Sequence, residues 1–424
     1  MNLLPLRFLP LLLLLASRLP GDFISGMKAV PASPAGEAFV RGAKFLEESK
    51  LNEAEKVFAE MVRADPNQAL GYVGLADVSF RRRQFPAAET NLRKARSLAP
   101  DNLGIAEAFA RFLFDMGRFQ EAEPAVWDAI KLDPRSGRLR IVLGDTLQRM
   151  NRSKEAEAAY REGIKLLPEH GGARFGLGLA LQSQGHLAAA ESEFRAAAKL
   201  APDNPAPLQA LGELLLLRKN PDGALRQFDA AIERSPAYAP PYLSRGDLHF
   251  SKRAYGSALA DYERAAALLP KSPIPLVKAG MAAQAQKDWT AASRHYRAAI
   301  AVDPRFAIAH NNLASIAIET RNGLPAAIQS ARKAVELAPR NHAFLDTLGW
   351  LLYLSGDPKS AIVPLRSAAE AGDAPASTHY HLGVAAERLG AKAEAKAAFA
   401  KAIQTDPKFP EAEDARKRLS AVSQ

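Results

Sequence analysis

Apolar residues recur along this chain at helical spacing, in pairs of short stretches separated by a polar turn. Residues 171–204, GGARFGLGLALQSQGHLAAAESEFRAAAKLAPDN, show the arrangement most plainly. Phe175, Leu177, Leu179 and Leu181 mark a first amphipathic helix that stops near Gly185, and a second runs from about Leu187 to Leu200, ending before Pro202. Gly178, Ala190 and Ala197 are the small residues expected where the two helices touch. A hairpin this short cannot bury its own apolar face and needs neighbours.

The chain supplies them at a fixed period. Helix-ending prolines stand at Pro66, Pro100, Pro134, Pro168, Pro202, Pro236, Pro270 and Pro304, each 34 residues after the last, then at Pro339 and, past Asp373, at Pro407. Twelve residues before each of these eleven slots stands an alanine, from Ala54 to Ala395. Position 8 of the unit is glycine in eight repeats (Gly42, Gly144, Gly178, Gly212, Gly246, Gly280, Gly349, Gly383) and alanine in three (Ala76, Ala110, Ala314). The units run from 35–68 through 376–409, and the ninth, 307–341, carries one extra residue in TRNGLP, which predicts a longer turn and unchanged packing. The tenth ends in GDAP without the usual proline. Asn102 and Asn204, with the aspartates before them, are expected helix caps. Residues 410–424 predict a capping helix with Ala412, Ala415, Leu419 and Val422 inward.

This pattern resembles the tetratricopeptide repeat family, whose large apolar, Leu-Gly, Ala, aromatic, Ala and Pro positions are matched here by Leu177-Gly178, Leu181, Ala190, Phe194, Ala197 and Pro202. The resemblance covers roughly 35–409. It implies an all-α, superhelical α-α solenoid of eleven helix-turn-helix units that holds a protein or peptide partner in a concave groove.

Positions 4, 7, 8 and 11 of each first helix are expected to pack on the second helix, and positions 2, 5, 9 and 12 to form an adjacent stripe. In the family that stripe lines the groove. Across repeats two to seven, position 9 reads Asp77, Arg111, Asp145, Leu179, Glu213 and Asp247. Such an acidic lane either greets a basic peptide or pairs with nearby arginines such as Arg138. Further on, Asp346, Trp350 and Tyr353 occupy positions 5, 9 and 12 of one helix, Tyr380 follows at position 5 of the next repeat, and Asn311 precedes them. An aromatic pair on a groove face is a candidate hot spot; the other reading packs Trp350 between helices as core. DTLGW with a following tyrosine, then YHLG, is similar to exported bacterial cell-envelope members of the family. The Lys and Asn set of the family's carboxylate clamp is absent.

Composition narrows the chemistry. The 424 residues carry a net charge of +10 and no cysteine, which excludes disulfides, zinc-thiolate sites and thiol catalysis. The basic balance permits nucleic-acid binding by a cytosolic chain, the alternative reading. The one tight basic run, Arg81-Arg82-Arg83, is expected in a solvated turn. His379 and His381, two apart on a helix, point to different faces and do not make a metal pair. With no phosphate loop and no room outside the repeats for a catalytic domain, we expect no enzyme, cofactor, metal or small-molecule substrate. At the N-terminus, Arg7 precedes FLPLLLLLA, a nine-residue apolar run. It is too short to span a membrane, which takes about 20 residues, and it suits a secretory signal peptide with Val30-Pro31-Ala32 as the processing site. Export to a periplasm with 1–32 removed, cytoplasmic initiation at Met27, and an uncleaved anchor are the three readings of this segment.

Overall fold

The computed structural model describes residues 23–24, 27 and 33–423; the apolar run of the signal-peptide reading lies outside them. Among the described residues there are 23 α-helices and no strand. The chain divides into two compact units, residues 1–235 and 236–424. In the first, α1 (Pro34–Glu47) pairs with α2 (Leu51–Ala64), α3 (Ala69–Arg81) with α4 (Phe85–Leu98), α5 (Leu103–Asp115) with α6 (Phe119–Leu132), and α7 (Gly137–Arg149) with α8 (Ser153–Leu166). There α9 (Gly171–Ser183) also pairs with α10 (Leu187–Leu200), and α11 (Ala206–Leu217) with α12 (Pro221–Arg234). In the second, α13 (Pro240–Ser251) pairs with α14 (Tyr255–Leu268), α15 (Pro273–Ala285) with α16 (Trp289–Val302), and α17 (Ala307–Thr320) with α18 (Leu324–Leu337). It continues with α19 (His342–Leu354) and α20 (Pro358–Ala369), then α21 (Ala376–Arg388) and α22 (Lys392–Thr405), and ends with α23 (Ala412–Val422). Each unit is an all-α solenoid in which a hairpin packs on its sequence neighbours.

Local chemistry sets the helix ends. Asn102 Oδ1 accepts the Ile105 amide at 3.1 Å, and Asn204 Oδ1 accepts that of Ala206 at 3.0 Å. Residue 15 of every repeat takes a left-handed backbone, from Ser49 at φ +59° to Gly390 at +76°, and this reverses the chain between the paired helices. Repeat nine has a second left-handed position, Gly323, after Arg321. The segment between the helices stays at three residues, 321–323, as in the other repeats; contrary to the expected longer turn, the extra residue is taken into α17, which has 14 residues against 13 in α15 and α19. At the C-terminus Ala412 and Ala415 are buried, and Leu419 and Val422 are partly buried against the same core.

Position 8 is where the helices of a hairpin come closest. A Cβ on Gly178 would lie 2.5 Å from Phe194 Cε1, and one on Gly280 would lie 2.4 Å from Tyr296 Cε1. The ring belongs to position 24, and the same encounter joins Gly42 to Phe58, Gly144 to Tyr160, Gly212 to Phe228, Gly246 to Tyr262 and Gly383 to Phe399. Where position 8 is Ala76, Ala110 or Ala314, the facing residue of the second helix shrinks to Leu92, Val126 or Ala331. Gly349 faces Leu365, so a glycine does not require a ring. The aromatic residue fills the volume that the missing Cβ leaves, and Phe58, Phe194, Phe228, Tyr296 and Phe399 are fully buried.

Gly178→Ala should therefore lower stability although alanine is the better helix former by about 1 kcal/mol. Overpacking costs about 1–3 kcal/mol, and the two effects oppose. In urea denaturation, Phe194→Leu should be less damaging in the Gly178→Ala background than alone; additive effects would show that the contact is not what decides.

Candidate interaction faces

The outer stripe of the first helices differs from expectation at one position. Position 5 turns inward in seven repeats, where Phe39, Val73, Ile141, Phe175, Gln209, Val277 and Tyr380 are buried, while Glu107, Leu243, Asn311 and Asp346 stay half-buried. It lies one helical turn before the position 8 contact, on the same face, and is drawn into the hairpin. Positions 9 and 12 stay mostly half-buried.

The acidic lane is paired within the protein. Asp77 is fully buried and accepts Arg81 Nε at 2.6 Å. Arg111 Nε bonds Asp115 at 2.8 Å, Gln209 donates to Glu213 at 2.8 Å, and Arg138 pairs with Glu107. The remaining two aspartates serve buried phenols. Tyr160 donates to Asp145 at 2.7 Å and Tyr262 to Asp247 at 2.6 Å, with Lys278 on the same Asp247 oxygen at 2.5 Å. In repeat eight, whose position 9 is Met281, Tyr296 donates instead to Gln284 at 2.8 Å. A tyrosine at position 24 thus brings a polar group on the facing helix, because a buried hydroxyl needs a partner.

Burial pushes the Asp145 carboxyl up to about 7, against the pull of the Tyr160 hydroxyl and the Arg111 and Arg149 charges.

The basic residues are engaged too. Position 21 carries a carboxylate in each of the first five repeats, and the next repeat reaches back to it. Glu55 meets Arg82 at 2.8 Å, Glu89 meets Arg118 at 2.7 Å, Glu123 meets Arg152 at 2.5 Å, and Glu191 meets Arg218. Gln184 donates to Glu157 at 2.7 Å in the one repeat where the donor is neutral. The run Arg81-Arg82-Arg83 is no free basic patch, since Arg81 and Arg82 are held by Asp77 and Glu55. No single repeat shows this ladder in the sequence, because its partners lie 27 to 29 residues apart.

In the second unit, α19 and α21 bring one aromatic cluster together. Trp350 stacks on Tyr353 of its own helix with centroids 4.9 Å apart and on His381 of α21 at 4.1 Å. His381 Nδ1 lies 2.9 Å from Asp346 Oδ1. Asp346, Trp350 and Tyr353 are half-buried: Trp350 packs on the core and keeps an accessible side. Tyr380 is the buried edge of this cluster, its ring 6.5 Å from Trp350 and 6.1 Å from His381. It is 8% exposed, its ring packs near Phe399 and Phe409, and its hydroxyl donates to Asp414 of α23 at 2.7 Å. Asn311 is apart, donating to Asn312 at 3.4 Å, with its Oδ1 buried and unpartnered among the described residues. His381 is the member that sequence reading missed; its signal was the step of 35 residues from Asp346, one repeat plus one position. His379 is buried elsewhere on α21, with its imidazole lowered below its usual range by desolvation. Among the described residues no group of three His, Asp or Glu could hold a metal ion, and no helix is long and apolar enough to cross a membrane.

Stacked two-helix units with paired, half-buried outer faces define a helical-repeat interaction protein. The family model for tetratricopeptide repeats matches residues 141–205, 210–273 and 277–342, and a second tetratricopeptide repeat model matches 376–409. The chain belongs to the tetratricopeptide repeat family, whose members are generally non-catalytic protein-interaction scaffolds. Similar solved structures include the Cut9–Hcn1 hetero-tetramer of APC/C (12% identity, 92% of this chain and 97% of that one, TM-score 0.46). Yeast Tom70 is 16% identical over 92% of this chain and 95% of that one, with a TM-score of 0.42. A tetratricopeptide repeat protein from Parabacteroides merdae is 17% identical over 60% and 100%, with a TM-score of 0.46. No curated protein gives a significant match.

The raised Asp145 carboxyl carries a signed consequence. The folded protein keeps a proton that the unfolded chain loses near pH 4, so the contribution to stability falls as pH climbs from about 4 through about 7. Asp145→Asn keeps an acceptor for Tyr160 and removes the titration. Its melting temperature relative to wild type should rise between pH 4 and pH 8 in thermal scans; a constant difference would show that Asp145 titrates as an ordinary carboxylate.

Proposed function

We propose that this protein is a non-catalytic scaffold of a bacterial cell envelope that captures a protein partner on the face built by Asp346, Trp350, Tyr353 and His381. The observation that carries the reading is the stacked aromatic cluster. Tryptophan and tyrosine dominate interaction hot spots because they present large, rigid, amphipathic area. Here three rings and a carboxylate pre-organise one another, which reduces the ordering cost on binding. Export is supported by the apolar N-terminal run with Val30-Pro31-Ala32 after it. Nothing in the arrangement of carboxylates, histidines and hydroxyls calls for catalysis, since those side chains serve helix contacts. The nucleic-acid alternative loses ground because so many arginines are held by carboxylates of neighbouring repeats, leaving fewer to neutralise phosphates.

Intact mass of the protein from fractionated native cells tests the location. We expect a species lacking about the first 32 residues in the periplasmic fraction; a chain starting at Met27 in the cytosol overturns the envelope reading. For the face, Trp350→Ala/Tyr353→Ala should cut capture of envelope proteins on an immobilised chain at least tenfold while the helical signal at 222 nm stays near wild type. Full capture by the variant would move the site elsewhere, and loss of helicity would make the pair core.

A further inference from the structure

A second face, in the first unit, already has an occupant. Phe23, Ile24 and Met27 lie outside the repeats, yet Phe23 is 4% and Ile24 9% exposed. The Phe23 ring meets Phe80 edge-on at 5.2 Å and Phe112 at 6.3 Å. Its backbone amide donates to Asp77 Oδ2 at 2.9 Å, while Asp77 Oδ1 takes Arg81. The Met27 amide bonds back to the Ile24 carbonyl at 3.0 Å, and the Met27 side chain comes to 3.0 Å from where a Cβ on Gly104 would lie. Asp77, Phe80 and Gly104 occupy positions 9 and 12 of repeat two and position 2 of repeat three, the outer stripe of α3 and α5.

Burial supports the same conclusion. Repeat two is the only repeat in which positions 9 and 12 are both buried. Elsewhere at least one of the two remains half-buried or exposed, because the hairpin itself does not cover them. Here an edge-on aromatic contact and a charge-assisted amide bond, the stronger kind of hydrogen bond, meet on one residue of a segment foreign to the repeat.

We propose that the α3–α5 face is a peptide-binding site and that Phe23, Ile24 and Met27 are its built-in occupants, closing the site in a chain that carries them and leaving it open once they are removed. The site reads an aromatic side chain through Phe80 and Phe112, its backbone amide through Asp77, and an apolar side chain over Gly104. This deepens the scaffold reading and rests on it. Cleavage after Ala32 and initiation at Met27 both delete Phe23 and Ile24, so either event uncovers the face. A tethered segment competes at an effective concentration of about millimolar, so a free peptide of the same sequence binds the intact chain poorly.

The test uses the full chain and a fluorescein-labelled peptide with the sequence of residues 20–28, PGDFISGMK, read by fluorescence anisotropy. Phe23→Ala/Ile24→Ala should bind the peptide at least tenfold more tightly than wild type, because it has lost the competitor and kept the site. Adding Gly104→Leu, which places bulk under Met27 and no side chain in the core, should abolish that gain with an unchanged melting temperature. Equal affinity for wild type and the double variant, no binding to either, or a gain that survives Gly104→Leu overturns the proposal. None of these outcomes touches the α19–α21 face, whose own variants decide the scaffold reading separately.

Discussion

The missing Cβ at position 8 is the constraint on which the hairpins depend. Without it, a ring from the second helix lies against the backbone of the first, and the pair closes around a fully buried aromatic residue. Interiors are packed to crystal-like density, so the two positions cannot vary independently. The chain's own repeats show the trade: rings face glycine, and Leu92, Val126 and Ala331 face alanine. That single contact also orders what lies around it. It draws position 5 inward in most repeats, leaves positions 9 and 12 as the outer stripe, and, where the ring is a tyrosine, brings a polar residue across to take its hydroxyl.

Much of the fold was legible because the period repeats local chemistry eleven times. Boundaries such as Leu187–Leu200 follow from proline, glycine and spacing alone, whereas the extra residue of repeat nine, expected in the turn, lies in α17, since spacing does not say which side of a turn absorbs an insertion. The site was legible only in part. Trp350 and Tyr353 could be placed on one helix face by counting turns, and their stacking follows from that register. Tyr380 joins that cluster but is covered, because a stripe drawn on a helical wheel does not show which edge a neighbouring helix hides; Asp414 of α23 takes its hydroxyl. His381 and the Arg–Glu ladder depend on contacts one repeat away, which a reading within single units misses.

The charge balance shows why composition is a weak guide to partners in a repeat protein. A net charge of +10 invites a nucleic-acid reading, yet Arg82, Arg118, Arg152 and Arg218 each reach back to a carboxylate of the preceding repeat. Partly exposed pairs of this kind contribute at most about 1 kcal/mol each, so their effect is on register more than on stability. Position 21 is Leu225, Leu259 and Ser293 in repeats six to eight and Ile362 and Lys396 in the last two, and the device is confined to the first five. Even the Arg81-Arg82-Arg83 run belongs to this bookkeeping of neighbours.

What distinguishes this chain from a uniform stack is therefore where the outer stripe departs from the repeat's own rules. At α19 and α21, aromatic side chains that the hairpin does not need stack on one another and stay half-exposed. At α3 and α5, comparable apolar surface is covered by Phe23 and Ile24, which no repeat contributes. Surface that a hairpin cannot bury by itself is costly to leave in water, at roughly 25 cal/mol per Å² of apolar area. The chain has met that cost differently at its two aromatic faces, by mutual stacking at one and by a segment from outside the repeats at the other. The segment supplies its own amide to Asp77, and without it Asp77 would keep Arg81 as a partner while the rings of Phe80 and Phe112 would lose their cover.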